Sequence, residues 1–349
     1  MEERILTLNN IGAIKDAQIH LNGLAVIAGE NDTGKSTVAK ILMAMIKTHN
    51  ISWWKKRKYG KTDSRQEFDM LTNQLFDSEI SKSGSARICE KEKIFYRTEI
   101  KNNRCDDFES SRQDWYRDAT YIQGSFVWDF FDFFSSVRII NDNAQIYGNR
   151  SKLVYPYLFW DLYQKMEGID TYFHTNKNLQ DIKQKITEII NGNFLKINKK
   201  TYKFYRNNEE ISLKNVATGI KQLGIIQVLL NNNRITSQGL LIFDEPENHL
   251  HPKWQLKFAE ILIQLSTLQV PIIVNSHSPN FIEAIYKYGL KYSATTHFHL
   301  ANNGLIKKHQ NSNEKTLELI FEKLNEPYDT FEKLDFEQLT LANKWDNNG

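Results

Sequence analysis

The chain has 349 residues, of which 40% are hydrophobic and 25% charged, so it can bury the core of one large domain or two ordinary ones. Its 45 basic and 42 acidic side chains leave a net charge of +3, too balanced for electrostatics alone to mark a nucleic-acid binder. Two cysteines, Cys89 and Cys105, exclude a disulfide scaffold and a four-cysteine zinc site and fit a reducing compartment.

No apolar run approaches the roughly 18 residues of a membrane helix. The opening Met-Glu-Glu-Arg lacks the basic-then-apolar shape of a signal peptide. A soluble, cytoplasmic protein is expected. In chain order, residues 4–27 read as short strands. The last, Leu24-Ala-Val-Ile-Ala, is continuously apolar, as a strand buried on both faces is. A Gly-rich turn follows, then a helix from about Lys35 to Lys47. Residues 48–118 turn polar, with a helix near 65–79 and a hairpin-like stretch near 86–100. A short strand, 119–123, precedes a mostly helical, aromatic-rich region over 126–192, and 194–214 alternates as antiparallel strands do. Then come a helix (219–231), a strand (239–243), a helix (253–267), a strand (271–275), a helix (279–288), a strand (294–300) and a helix near 313–325. Such alternation predicts a largely parallel sheet with helices on both faces.

Gly29-Glu30-Asn31-Asp32-Thr33-Gly34-Lys35-Ser36-Thr37 contains G-x-x-x-x-G-K-[ST], between an apolar strand and a helix. The glycines let backbone N–H groups point at phosphate oxygens, and the helix presents its positive end to the same anion. Lys35 then reaches the β- and γ-phosphates and Ser36 takes a Mg²⁺ position. This is a nucleoside triphosphate site. Leu240-Leu-Ile-Phe-Asp244-Glu245 is an apolar strand ending in two carboxylates. Such a strand is expected beside the phosphate-loop strand, with Asp244 near the Mg²⁺ and Glu245 as the base that deprotonates the attacking water.

The run Asp244-Glu-Pro-Glu-Asn-His-Leu-His-Pro252 resembles the second acidic motif plus D-loop of ABC-type ATPases, and Gly29-x-Asn31 is the phosphate-loop form of the soluble group that includes the overcoming-lysogenization-defect, RecF and SMC proteins. Ala217-Thr218-Gly219-Ile-Lys-Gln resembles the signature motif, Ile273-Val-Asn-Ser-His277-Ser-Pro the switch-histidine loop, and Tyr121-Ile-Gln123 the glutamine loop. The resemblance implies an α/β P-loop NTPase with an ABC-type head: a mostly parallel sheet flanked by helices, an antiparallel β part and a helical insertion. It implies ATP and Mg²⁺ as ligands, with Gln123 contacting Mg²⁺ or the attacking water and His277 the γ-phosphate. It also implies a homodimer in which Thr218 and Gly219 of one head meet the ATP of the other. Ala217 stands where the family usually has serine, and Thr218 keeps a hydroxyl one place later. His249 and His251 fall at the dimer seam in this reading.

The domain expectation is one head: 1–47 with the phosphate loop, 48–118 an insertion, 119–193 a helical subdomain, 194–311 the lobe with the remaining motifs, and 312–349 a helix and tail. No nuclease or metalloprotease motif is visible, and the resemblance implies a separately encoded effector. The leading functional reading is a nucleotide-gated dimeric ATPase, the sensor or regulator in a system such as bacterial antiphage defence. The alternative is a RecF- or SMC-like DNA-binding clamp, with nucleic acid as partner and no membrane. Trp53-Trp-Lys-Lys-Arg-Lys-Tyr59 mixes cations and aromatics as single-strand nucleic-acid surfaces do, but the preferred reading is the solvated edge of the insertion. The five aromatics of Trp128–Phe134 read as packing of the helical subdomain. Asn343-Lys-Trp-Asp346 matches a guanine-reading pattern by coincidence, since no buried strand precedes it.

Overall fold

Strand β3 (Leu24–Ala28) sets the architecture, because its five residues are all buried and divide between two cores. Leu24, Val26 and Ala28 face one hydrophobic cluster while Ala25 and Ile27 face the other, the period-2 alternation of a strand covered on both sides. The computed structural model describes residues 3–77, 79–111, 116–147, 155–170, 177–197 and 201–326. Asn343–Asp346 and the tail after 326 lie outside the described residues.

Strands β1 (Arg4–Ile11) and β2 (Ile14–His20) form an antiparallel hairpin ahead of β3. Helix α1 (Lys35–Tyr59) follows the phosphate loop and α2 (Ser64–Phe76) packs on it. Then come β4 (Ser83–Glu90), β5 (Lys93–Lys101), β6 (Arg104–Ser110) and β7 (Asp118–Ile122). The next helices are α3 (Phe131–Tyr147), α4 (Tyr157–Glu167) and α5 (Lys177–Ile190). Strands β8 (Asn193–Ile197), β9 (Thr201–Arg206) and β10 (Glu209–Ile211) make a separate small antiparallel sheet. The chain continues through α6 (Thr218–Asn231), β11 (Gly239–Asp244), α7 (Pro252–Thr267), β12 (Ile272–Ser276), α8 (Pro279–Lys291), β13 (Thr296–Asn302) and β14 (Leu305–Lys307). A helix over 313–326 closes the described residues.

The main sheet has eleven strands in the order β6-β5-β4-β1-β2-β14-β13-β3-β12-β11-β7. From β13 to β7 every pair is parallel. At the other end, β2 to β6 is an antiparallel meander. This is an α/β P-loop NTPase fold with a mixed sheet, parallel at one end and antiparallel at the other. The polar 48–118 segment thus adds three strands to the edge of the same sheet through β1–β4 pairing.

Two local expectations need correction. Helix α1 does not stop near Lys47 but runs to Tyr59, where Gly60 adopts a left-handed φ of 78° and closes it. The helix survives its loss of apolar periodicity because Lys56, Arg57 and Lys58 in its last turn favour the negative end of the dipole. Nor does β11 lie beside β3. Strand β12 sits between them, pairing with β3 on one side and β11 on the other. The order cannot be read locally, because β11 and β12 are equally apolar and both are buried throughout.

Candidate functional site

The functional side chains gather at the carboxyl ends of β3, β12, β11 and β7, where parallel strands hand over to loops. From β3 the chain enters the phosphate loop, and Gly34 starts α1 with φ 92°. A side chain there would also meet Ile14 Cγ1 at 2.7 Å, so only glycine fits. No side chain caps the start of α1, which leaves its first N–H groups for an anion. Lys35 is 4% exposed, and its ammonium donates to Gly29 O at 2.9 Å and Glu30 O at 2.6 Å. Burial lowers its pKa, and the carboxylates of Glu245, Asp244, Glu247 and Glu30 oppose that effect. A cavity of about 360 Å³ is lined by Asn31–Thr37 of the loop and by Glu245.

Asp244, at the end of β11, is the most heavily bonded carboxylate of the site. Ser36 Oγ lies 3.0 Å from its Oδ2 and 3.2 Å from Oδ1. Asn275 Nδ2 donates to Oδ1 at 2.7 Å, and the Tyr121 phenol donates to Oδ2. Although β12 separates the two strands, Ser36 reaches Asp244 because α1 starts beyond the strand ends. The intervening strand contributes Asn275 directly opposite Asp244 in the ladder.

Glu245 takes φ 50°, an uncommon conformation for a residue with a Cβ and one that concentrates at functional sites. Its Oε2 accepts from Asn248 Nδ2 at 2.8 Å, and its Oε1 lies 3.2 Å from His277 Nδ1. His277 is itself positioned from behind by Glu247. That carboxylate is 3% exposed, and its Oε1 accepts from Ser276 Oγ at 2.6 Å and from the His277 N–H at 3.1 Å. Burial raises the pKa of Glu247, against the hydrogen bonds that favour its charged form.

A second cavity, of about 460 Å³, is lined by Ser36, Gln123, Asp244 and Glu245 together with Thr218, Lys221 and Gln222. Gln123 is exposed at the end of β7 and lines this cleft. Thr218 is exposed at the first turn of α6, whose N-cap, Ala217, supplies no side-chain cap. Gly219 is explained within the chain: a Cβ there would meet Leu250 Cδ2 at 3.0 Å and the Trp254 ring at 3.6 Å. Lys221 pairs with Asp129 at 2.8 Å, and its carbonyl accepts from Trp128 Nε1. His249 lines the cleft, whereas His251 caps α7 by accepting from the Lys253 N–H at 3.3 Å.

The donor set suits a nucleoside triphosphate with Mg²⁺. A hydroxyl and a single carboxylate converge within 3.2 Å beside a buried ammonium and a free helix N-terminus. Mg²⁺ commonly takes one or two carboxylates and completes its shell with phosphate oxygens and water. No group of three or more His, Cys, Asp or Glu able to hold a metal occurs among the described residues.

A family model described as "AAA domain, putative AbiEii toxin, Type IV TA system" matches residues 91–283, more than half of the chain. The chain belongs to this AAA-domain family. It is accordingly a nucleotide-binding protein of the P-loop ATPase class. No functionally curated protein matches it. Among solved structures it is similar to the SMC head domain from Thermotoga maritima, at 13% identity and a TM-score of 0.46, over 88% of this chain and 97% of that one. It is also similar to a Pyrococcus furiosus Smc head with extended coiled coil bound to the C-terminal domain of ScpA, at 11% identity and TM-score 0.45, covering 92% and 99%. An ATP-binding cassette of an ABC transporter in its ADP conformation gives 14% identity and TM-score 0.40, covering 94% and 96%. No helix among the described residues is long and apolar enough to cross a membrane.

Sequence reasoning missed three contributors. Tyr121 was passed over for its neighbour Gln123, Asn275 for His277, and Glu247 for Glu245. Asn275 and Glu247 did carry a signal: polar residues near the end of a buried strand or just after an acidic strand end need a partner.

Proposed function

We propose that this protein hydrolyses ATP and works as a nucleotide-gated dimeric switch, the sensor or regulator of a multi-component system such as bacterial defence against phage. The observation that supports it is the placing of Ser36, Asp244, Glu245 and His277 around the phosphate loop, with Glu245 held by Asn248 and facing His277 at 3.2 Å. In this reading the triphosphate lies along Gly29–Thr37, with Lys35 and the start of α1 countering its charge. Ser36 and Asp244 would hold Mg²⁺, which neutralises charge on the phosphates when bound. Glu245 accepts a proton from water as the water oxygen bonds to the γ-phosphorus and the bridging bond to ADP breaks. His277 donates to the transferred phosphoryl group, and Gln123 orients the water from the end of β7.

Thr218 and the uncapped start of α6 are assigned to the ATP of a second copy, which makes the homodimer conditional on nucleotide. The family description, naming a toxin of a type IV TA system, favours a separately encoded partner. The overcoming-lysogenization-defect affiliation belongs to this same reading. A second reading, a RecF- or SMC-like DNA-binding clamp, is favoured by the exposed basic and aromatic end of α1.

The test is Glu245→Gln, which keeps the side-chain shape but cannot accept the proton. ATP binding should stay near wild type, turnover should fall at least a hundredfold, and light scattering should show an ATP-dependent dimer. Unchanged turnover would remove the base assignment. A variant that is monomeric with ATP bound would remove the dimeric switch.

A further inference from the structure

Helix α1 starts in the phosphate loop and ends 25 residues later in Trp53-Trp54-Lys55-Lys56-Arg57-Lys58-Tyr59. Its first part is buried in the core below the sheet, from Val38 to Ile46. Its end is not: Trp53, Trp54 and Tyr59 are 52%, 49% and 61% exposed. Helical spacing pairs Trp53 with Arg57 and Trp54 with Lys58 on adjacent ladders. Arg57 lies 5.4 Å from the Trp53 ring centre, and Lys58 lies 4.7 Å from that of Trp54 and 5.1 Å from that of Tyr59. Trp54 and Tyr59 also meet edge to face at 5.9 Å. Each ring is therefore held in place by a cation while much of its surface stays in water.

Three of the four cations have no ion-pair partner among the described residues. Lys55 is bound to Glu67 at 2.5 Å, but among the described residues no carboxylate pairs with Lys56, Arg57 or Lys58. Their position in the last turn of α1 favours the helix dipole. That accounts for the cations and leaves the exposed rings unaccounted for. A membrane surface would call for a continuous apolar stripe on one face of the helix. Here each ladder carries one ring followed by one cation, Trp53 with Arg57 and Trp54 with Lys58, so no continuous apolar stripe forms. Flat rings interleaved with phosphate-binding cations are what an unpaired strand requires, because every base offers a face to stack and every phosphate a charge.

We infer that the carboxyl end of α1 binds single-stranded nucleic acid, with bases stacking on Trp53 and Trp54 and phosphates on Lys56, Arg57 and Lys58. The surface lies outside the nucleotide cleft, and the inference rests on neither ATP turnover nor dimerisation.

The full-length chain is titrated against a labelled 20-nucleotide oligo-dT, with anisotropy read at several salt concentrations. Binding should weaken at least tenfold in Trp53→Ala/Trp54→Ala with its salt slope retained. In Lys56→Ala/Arg57→Ala/Lys58→Ala the slope of log K against log salt should fall by about 2, since each phosphate contact on a single strand contributes about 0.7. A duplex of equal length should bind at least fivefold more weakly. Circular dichroism melting checks that the variants fold, and Lys58→Glu alone repeats the test if the triple variant melts early. Three results would overturn the inference: no binding of oligo-dT, full binding by the tryptophan variant, or tighter binding to phosphatidylcholine–phosphatidylserine vesicles than to the oligonucleotide.

Discussion

Tyr121 donates its phenolic hydrogen bond to Oδ2 of Asp244 across the neighbouring parallel strands β7 and β11. The phenol is buried, and both burial and the adjacent carboxylate raise its pKa well above the ordinary value, so it remains a donor at neutral pH. With Asn275 on Oδ1, the bond fixes the plane of the carboxylate that faces Ser36.

Tyr121→Phe keeps the ring and deletes the donor. A hydrogen bond to a charged group is worth about 1.5–3 kcal/mol, so unfolding free energy in urea should fall by about 1.5 kcal/mol. The Mg²⁺ concentration for half-maximal ATP turnover should rise several-fold, because Asp244 loses its fixed orientation. If neither quantity moves, the phenol only fills space.

A second prediction concerns the charge cluster that joins α1, β7 and α4. Lys47 lies 2.6 Å from both Asp118 and Asp161, and Lys165 lies 3.2 Å from Asp118 and 2.9 Å from Asp161. Burial opposes ionisation of Asp118, but the ammoniums of Lys165 and Lys47 outweigh it and hold its pKa well below the usual carboxylate value. A depressed pKa contributes stability that is present above the unfolded value, about 3.9, and is lost as pH falls below it. Breaking a fully buried pair costs about 3–5 kcal/mol, and the 34% exposure of the Asp118 side chain reduces the expected loss in Asp118→Asn to about 2 kcal/mol at pH 7. Denaturation curves should show the gap between variant and wild type closing below about pH 4. A gap that stays constant with pH would show that Asp118 acts through its shape alone.

The proposed sharing of the site between two copies is tested by mixing. Gly219 is unsuited to this, because any side chain there presses on Leu250 within its own chain. Thr218 is exposed, so Thr218→Asp adds charge without a packing defect. Lys35→Ala should lose nucleotide binding, since the triphosphate loses its main counter-charge. If Thr218 acts on the partner's ATP, each variant alone is inactive, and mixing yields heterodimers with one intact site and partial turnover. If Thr218 acts on the cleft of its own chain, whose lining it shares with Ser36, mixing restores nothing. Steady-state ATPase assays across mixing ratios separate the two.

The phosphate loop, the acidic strand end and the histidine loop were legible in the sequence because their chemistry is local. A glycine-limited turn, a helix start and two adjacent carboxylates need only a few consecutive residues to declare themselves. The strands β3, β11 and β12 were legible for the same reason, as short apolar runs ended by polar residues. Their lateral order was not, since identical burial on both faces leaves nothing in any one strand to name its neighbours. Only the tertiary fold put β12 between β3 and β11, and with it Asn275 against Asp244. The bond from Tyr121 likewise depends on β7 pairing with β11, two strands far apart in the chain. The end of α1 marks the same boundary from the other side. The sequence determined a run of rings and cations, but whether those rings would be buried was decided by where the 25-residue helix left the sheet.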